Sequence, residues 1–111
     1  MSKYAPSILE EPDQAYCSVC GSTQYIQRHE IFYGVDRQAS IKNGCWITIC
    51  SACHDKVHFG KDRTLDRKLK KIAREKYIEL YGAQKFMENF SHSYLQDKKI
   101  ETLQELKEEQ R

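Results

Sequence analysis

The chain has 111 residues, 18 Lys and Arg against 16 Asp and Glu, and a formal net charge of +2, with 31% charged and 40% apolar residues. That length gives one small domain with a marginal core, for which a structural metal is a common stabiliser. No stretch approaches the roughly 20 apolar residues of a membrane span, and the first residues, MSKYAPSILEEPDQ, lack the apolar segment of a secretory signal. An intracellular, cytoplasmic setting without membrane contact is expected, and there paired cysteines argue for zinc over disulfides.

Residues 1–16 hold both prolines, show no periodicity, and read as an irregular N-terminal arm. A Cys-x-x-Cys turn follows, Cys17-Ser-Val-Cys20-Gly21. Tyr25 to Tyr33 is rich in aromatic and β-branched residues and predicts a strand. Gly34 to Gly44 has turn residues at both ends and reads as a loop. Cys45 to Ile49 predicts a second short strand, running into a second pair, Cys50 and Cys53. A helix is expected from Cys53 until Gly60 breaks it.

Asp62 is the expected cap of the next helix, which ends at Gly82. Leu65, Leu69, Ile72, Ala73, Tyr77, Leu80 and Tyr81 form its apolar stripe at spacings near 3.6. A shorter helix over Ala83–Phe90 offers Phe86, Met87 and Phe90 to the same core. The charged segment at the end of the chain, 96–111, carries Ile100, Leu103 and Leu106 and reads as a helical tail too short to stand alone.

The two cysteine pairs carry the strongest chemical signal. Zn²⁺ takes four soft ligands in a tetrahedron, and two residues between cysteines let one tight turn supply two of them. Cys17, Cys20, Cys50 and Cys53 are therefore the expected structural zinc ligands. Cys45, beside Trp46, reads as core. His54 follows Cys53 directly, and His58 is four residues on, so both face one side of a helix. A closed thiolate site at Cys53 would thus fix where that side of the helix points.

A histidine on the first strand, a loop, a second strand, Cys-x-x-Cys and a histidine at a helix start: this arrangement resembles the HNH endonucleases of the ββα-metal group. It is most similar to the small phage-type HNH proteins. The text that carries the likeness is RHEIFYGVDRQASIKNGCWITICSACHDKVHFG and the trailing LDRKLKKIAREKYIELYGAQKFMENFSHSYL. The resembling region covers about residues 17–95. The resemblance implies an α+β fold, a zinc-clamped ββα-metal (treble-clef-like) unit with additional C-terminal helices. It also implies metal-dependent hydrolysis of DNA phosphodiesters at low sequence specificity, in a phage-infected host cell if the chain is phage-encoded.

By position, the resemblance makes His29 the general base and His54 a ligand of the catalytic ion, with His58 a further ligand. Mg²⁺ or another divalent ion would serve there. Many HNH proteins place a metal-ligating Asp or His where Arg28 stands, and arginine has no lone pair to offer. Three arrangements are open: Arg28 binds the phosphate, Glu30 adds a carboxylate, or the site is inactive. The asparagine of the family name falls near Cys45, with Asp36 and Asn43 as nearby substitutes. Arg37 and Ser40 match loop positions of the phage-type proteins.

Arg37, Lys42, Lys56 and Lys61 are candidates for nucleic-acid contact. Residues 62–81 carry seven Lys and Arg against four Asp and Glu, a run that suits either a DNA backbone or a solvated helix face. The alternative function is an inactive HNH-derived zinc protein that binds DNA or blocks a host defence or repair protein.

Overall fold

A computed structural model describes residues 4–60 and 63–91. Residue Lys61, proposed for nucleic-acid contact, the expected cap Asp62 and the tail at 96–111 lie outside the described residues. Two strands, β1 (Ile26–Glu30) and β2 (Trp46–Cys50), form an antiparallel two-stranded sheet. Four helices accompany it: α1 (Arg37–Asn43), α2 (Ser51–Phe59), α3 (Thr64–Tyr81) and α4 (Ala83–Asn89). The protein is thus α+β. No helix among the described residues is long and apolar enough to cross a membrane.

The register pairs His29 with Ile47 and Arg28 with Thr48. Because side chains alternate along a strand, His29 and Gln27 share one face of β1, while Arg28 and Glu30 share the other. Ile47 and Ile49 of β2 are buried with Val57 of α2, Leu69, Ile72 and Ala73 of α3, and Phe86 of α4. Tyr77, Phe86 and Phe90 meet edge to face or stacked, their centroids between 4.6 and 5.7 Å apart. These contacts favour the arrangement beyond the apolar area that they bury.

The segment 34–44 departs from the loop expected of it. A 3-10 turn over Gly34–Asp36 leads into α1, which ends on Gly44 in the left-handed region at φ 73°. Seven residues are too few to hold a helix in water. Tertiary bonds supply the rest. The Ser40 hydroxyl accepts from the Phe32 N–H at 3.0 Å and donates to the Phe32 carbonyl at 2.7 Å. Asn43 accepts from the Tyr77 hydroxyl at 3.2 Å, and buried Asp36 accepts from the Ser91 N–H and hydroxyl, both at 2.8 Å. Asp36 and Asn43 thereby tie the segment to α3 and to the end of α4.

Residues 4–16 form neither helix nor strand, yet they line the open edge of β2. The Ile8 N–H donates to Gly44 O at 3.0 Å, and the Ser7 hydroxyl donates to Trp46 O at 2.8 Å. The Glu10 carboxylate accepts from the Thr48 N–H at 2.9 Å, and the Ser18 N–H donates to Thr48 O at 2.8 Å. Edge groups left bare would invite pairing with another chain; here the arm satisfies them.

Two further expectations are adjusted. α2 starts at Ser51, two residues before Cys53, with Cys50 as its N-cap. The stripe on α3 holds through Tyr77, but Leu80 and Tyr81, like Met87 on α4, are exposed. α3 does end at Gly82, as its sequence suggests.

Gly44 is constrained twice, by its positive φ and because a Cβ there would sit 2.2 Å from the Pro6 carbonyl oxygen. Gly44→Ala is therefore expected to lower unfolding free energy by at least about 1–2 kcal/mol from the left-handed backbone alone. Urea denaturation checks this, and an unchanged midpoint would contradict the close packing of the arm.

Candidate metal centres

Cys17 and Cys20 come from the turn before β1, and Cys50 and Cys53 from the junction of β2 with α2. Their sulfurs all lie within 4.8 Å of one another, and the Cys20 and Cys50 sulfurs are 3.7 Å apart. A disulfide would need about 2.05 Å. Four sulfurs at the Zn–S distance in a tetrahedron stand about 3.8 Å apart. The cluster could therefore hold one metal ion such as zinc, with no position left for water. The N–H groups of Val19 and Cys20 both point at Cys17 Sγ at 3.4 Å, as second-shell donors to a thiolate do.

Electrostatics sets how readily these thiols give up their protons. Burial, the charge of Cys17 and the other sulfurs push the Cys53 thiol far above its ordinary range. Burial likewise raises Cys20. At Cys50, burial also disfavours the thiolate, but hydrogen bonds from Cys53 and the other thiols outweigh it, and the net shift is downward. One negative charge is thus favoured where the chain enters α2, at a helix N-terminus. Four thiolates together require a metal. Cys45 is buried away from this set, and its thiol is pushed up to about 12 by burial alone.

The second cluster is His29, His54 and His58, with one ring nitrogen from each within 4.8 Å of the other two. His54 and His58 sit one turn apart on α2, and His29 reaches them from β1. The ring centroid of His29 lies 5.0 Å from that of His54 and 5.5 Å from that of His58. The Nε2 atoms of His54 and His58 are 3.2 Å apart. The Gln27 side-chain oxygen accepts the Nδ1 proton of His54. That bond leaves the His54 Nε2 as a lone pair aimed at the cluster.

His29 is 2% exposed, and its Nε2 has no hydrogen-bond partner among the described residues. Burial, followed by the facing imidazoles of His54 and His58 and the Lys70 ammonium, holds its pKa down to about 3. Burial and then His58 lower His54 as well. His29 and His54 are thus biased toward the neutral form, which binds metals. The donor set fits a divalent ion of borderline softness better than a hard one, since imidazole suits zinc, copper, iron and nickel.

The chain matches no family model, no curated protein and no solved structure. What the site can do is therefore argued from its own atoms.

Arg28 is not part of the histidine cluster. Its guanidinium lies 4.5 Å over the Tyr4 ring and 5.0 Å from the Trp46 ring, on the opposite face of β1. Glu30 is on that face too, accepting from Tyr4 and pairing with Arg37 at 3.1 Å. Arg28, Arg37 and Glu30 thus join the arm to the outer side of the sheet, and Glu30 offers the cluster no ligand. Lys42 is exposed at the end of α1. Lys56 is exposed on α2, two residues from each histidine and so on another side of the helix.

Sequence reasoning missed Gln27, Tyr33, Asp66 and Lys70. The Tyr33 ring packs 5.1 Å from His58, and its hydroxyl donates to Asp66 at 2.9 Å. Lys70 bonds Asp66 at 3.1 Å and lies 4.1 Å from the Tyr33 centroid. Gln27 was legible in principle, since period-two alternation puts it beside His29. The α3 residues carried no signal, because their place depends on how α3 crosses α2.

Two outcomes are expected. Cys50→Ser should lower the zinc bound per chain, read by elemental analysis after gel filtration, whereas Cys45→Ser should leave it unchanged. The second concerns acid. An unfolded His29 takes its proton near pH 6.5 and the folded one only near 3, so the unfolded state binds more protons between those values and stability falls as pH drops through that window. Urea titrations at pH 7.5 and 5.5 should show a larger loss for the wild type than for His29→Gln. Equal losses would contradict the burial of a neutral ring.

Proposed function

We propose that this chain is a metal-dependent phosphodiester hydrolase of the HNH type, acting on DNA at low sequence specificity, with zinc in the cysteine cluster. The observation that supports this most is the pairing of two unlike clusters on successive turns of α2, thiolates that close around an ion and imidazoles that leave positions open. An open set of neutral nitrogen ligands is the arrangement that hydrolytic sites use. The strand–strand–helix order around it accords with the ββα-metal unit that the sequence resembles.

His54 and His58 would hold the catalytic ion, and Gln27 would keep His54 in the tautomer that binds it. Such an ion supplies charge relief for phosphoryl oxygens and lowers the pKa of water. His29 closes the pocket on the strand side with an uncharged ring. Tyr33 walls the pocket on the α3 side, held by Asp66, which Lys70 neutralises.

A second reading has its own observation. Arg28 is committed to Tyr4 and Trp46, and no carboxylate joins the three histidines among the described residues. Both facts favour a non-cleaving HNH-derived protein that binds DNA or blocks a host protein.

Supercoiled plasmid incubated with the zinc-loaded protein and Mg²⁺, Mn²⁺, Co²⁺, Ni²⁺ or additional Zn²⁺ separates the two. Nicking is expected with at least one ion, falling at least about 10-fold in His54→Ala, a variant that should keep its cysteine-bound zinc. Wild-type protein inert with every ion, while still retaining DNA in a gel shift, would overturn the hydrolase in favour of the second reading.

A further inference from the structure

The resemblance gives His29 the task of taking a proton. The geometry points to a different one: His29 is the third ligand of the second ion, so that His29, His54 and His58 form a three-nitrogen site for a borderline transition metal rather than for Mg²⁺. This rests on the reading that His54 and His58 hold an ion at all, and it assigns that ion's class and its third donor.

Four observations carry it. One ring nitrogen of His29 lies within 4.8 Å of donors on both α2 histidines, and its Nε2 is buried without a hydrogen-bond partner among the described residues. A buried polar atom left unpaired costs free energy, which an ion bound by this ring would relieve. The 3.2 Å between the Nε2 atoms of His54 and His58 fits two nitrogens on one ion, for which an M–N distance of about 2.0–2.1 Å gives roughly 3.0–3.4 Å. In metal-free protein the same separation suits a proton on His58 Nε2 shared with His54; to ligate, His58 would carry that proton on Nδ1 instead.

The third observation is Gln27. Its oxygen receives the Nδ1 proton of His54, the second-shell bond that ligating histidines make almost always. The fourth is the position of the acids around the cluster: Asp55, exposed on α2 beside His54, joins no ligand group with the histidines among the described residues. Glu30 is turned to the opposite face with Arg37, and Asp66 is engaged by Tyr33 and Lys70. A hard ion such as Mg²⁺ demands oxygen ligands, and this pocket offers it nitrogen.

A consequence separates ligand from base. A ligating His29 spends on the ion the lone pair with which it would accept a proton. Removing it should then cost metal affinity. A base would cost turnover and leave affinity alone.

The experiment uses the full chain with one equivalent of zinc already bound. A second equivalent of Zn²⁺ or Co²⁺ is added while the imidazole nitrogens are followed by ¹⁵N NMR, with affinity from calorimetry. The expected result is that Zn²⁺ moves resonances of all three histidines in one event, and that millimolar Mg²⁺ moves none. His29→Gln should bind the second ion at least about 10-fold more weakly, and Gln27→Leu should weaken it by about 10-fold or more. The first zinc and the circular dichroism should be unchanged in both.

Movement of His54 and His58 alone, or affinity within twofold of wild type in His29→Gln, would overturn the inference while leaving the two-histidine ion site standing. Failure of the wild type to take a second ion of any kind would overturn both. Should His29→Gln fail to fold, the wild-type NMR titration decides by itself.

Discussion

Everything else in this molecule follows from two turns that bring their thiols to one point. Cys17 and Cys20 leave the arm just before β1, and Cys50 and Cys53 join β2 to α2, so one ion among them would lock the sheet to the helix. Cys50 is both the last residue of β2 and the N-cap of α2. Fixing that residue fixes the rotation of α2, and with it the direction of His54 and His58. In a chain of this size a metal cross-link adds to a core of limited extent. A metal held there would do what a larger core does in a longer protein.

The two faces of β1 divide the labour. One face carries Gln27 and His29 toward α2, and the other carries Arg28 and Glu30 toward the arm. Arg28 over Tyr4 and Trp46, with Glu30 on Arg37, makes a cation–π and ion-pair patch where part of each side chain stays in water. Interactions of that kind contribute of order 1 kcal/mol each. They keep the arm against the sheet and place no strong charge in the histidine pocket. The pocket's neutrality is a product of this sorting, as much as of burial.

Much of this was legible in the sequence. Cysteine spacing pointed to the first cluster, and the helical spacing of His54 and His58 put them on one side. Alternation along β1 separated His29 from its neighbours before any coordinates. The stripe on α3 and the shorter helix after it were also readable, since α3 is strongly periodic and Gly82 separates the two. What escaped was held by distant partners. α1 exists because Ser40, Asn43 and Asp36 bond residues far away in the chain. The role of Arg28 depends on Tyr4, in a segment with no pattern of its own. Gln27 becomes meaningful only once α2 lies across it, and Tyr33 and Lys70 only once α3 does.

The claim at the centre is that one ion is held by sulfur alone, leaving all three imidazoles to a separate site. X-ray absorption at the zinc edge, on protein carrying a single equivalent, reads the ligands directly. The expected spectrum has four sulfur scatterers at about 2.3 Å and no imidazole pattern. Mixed sulfur and nitrogen coordination would mean that a histidine belongs to the first ion, and the two-site arrangement would fall.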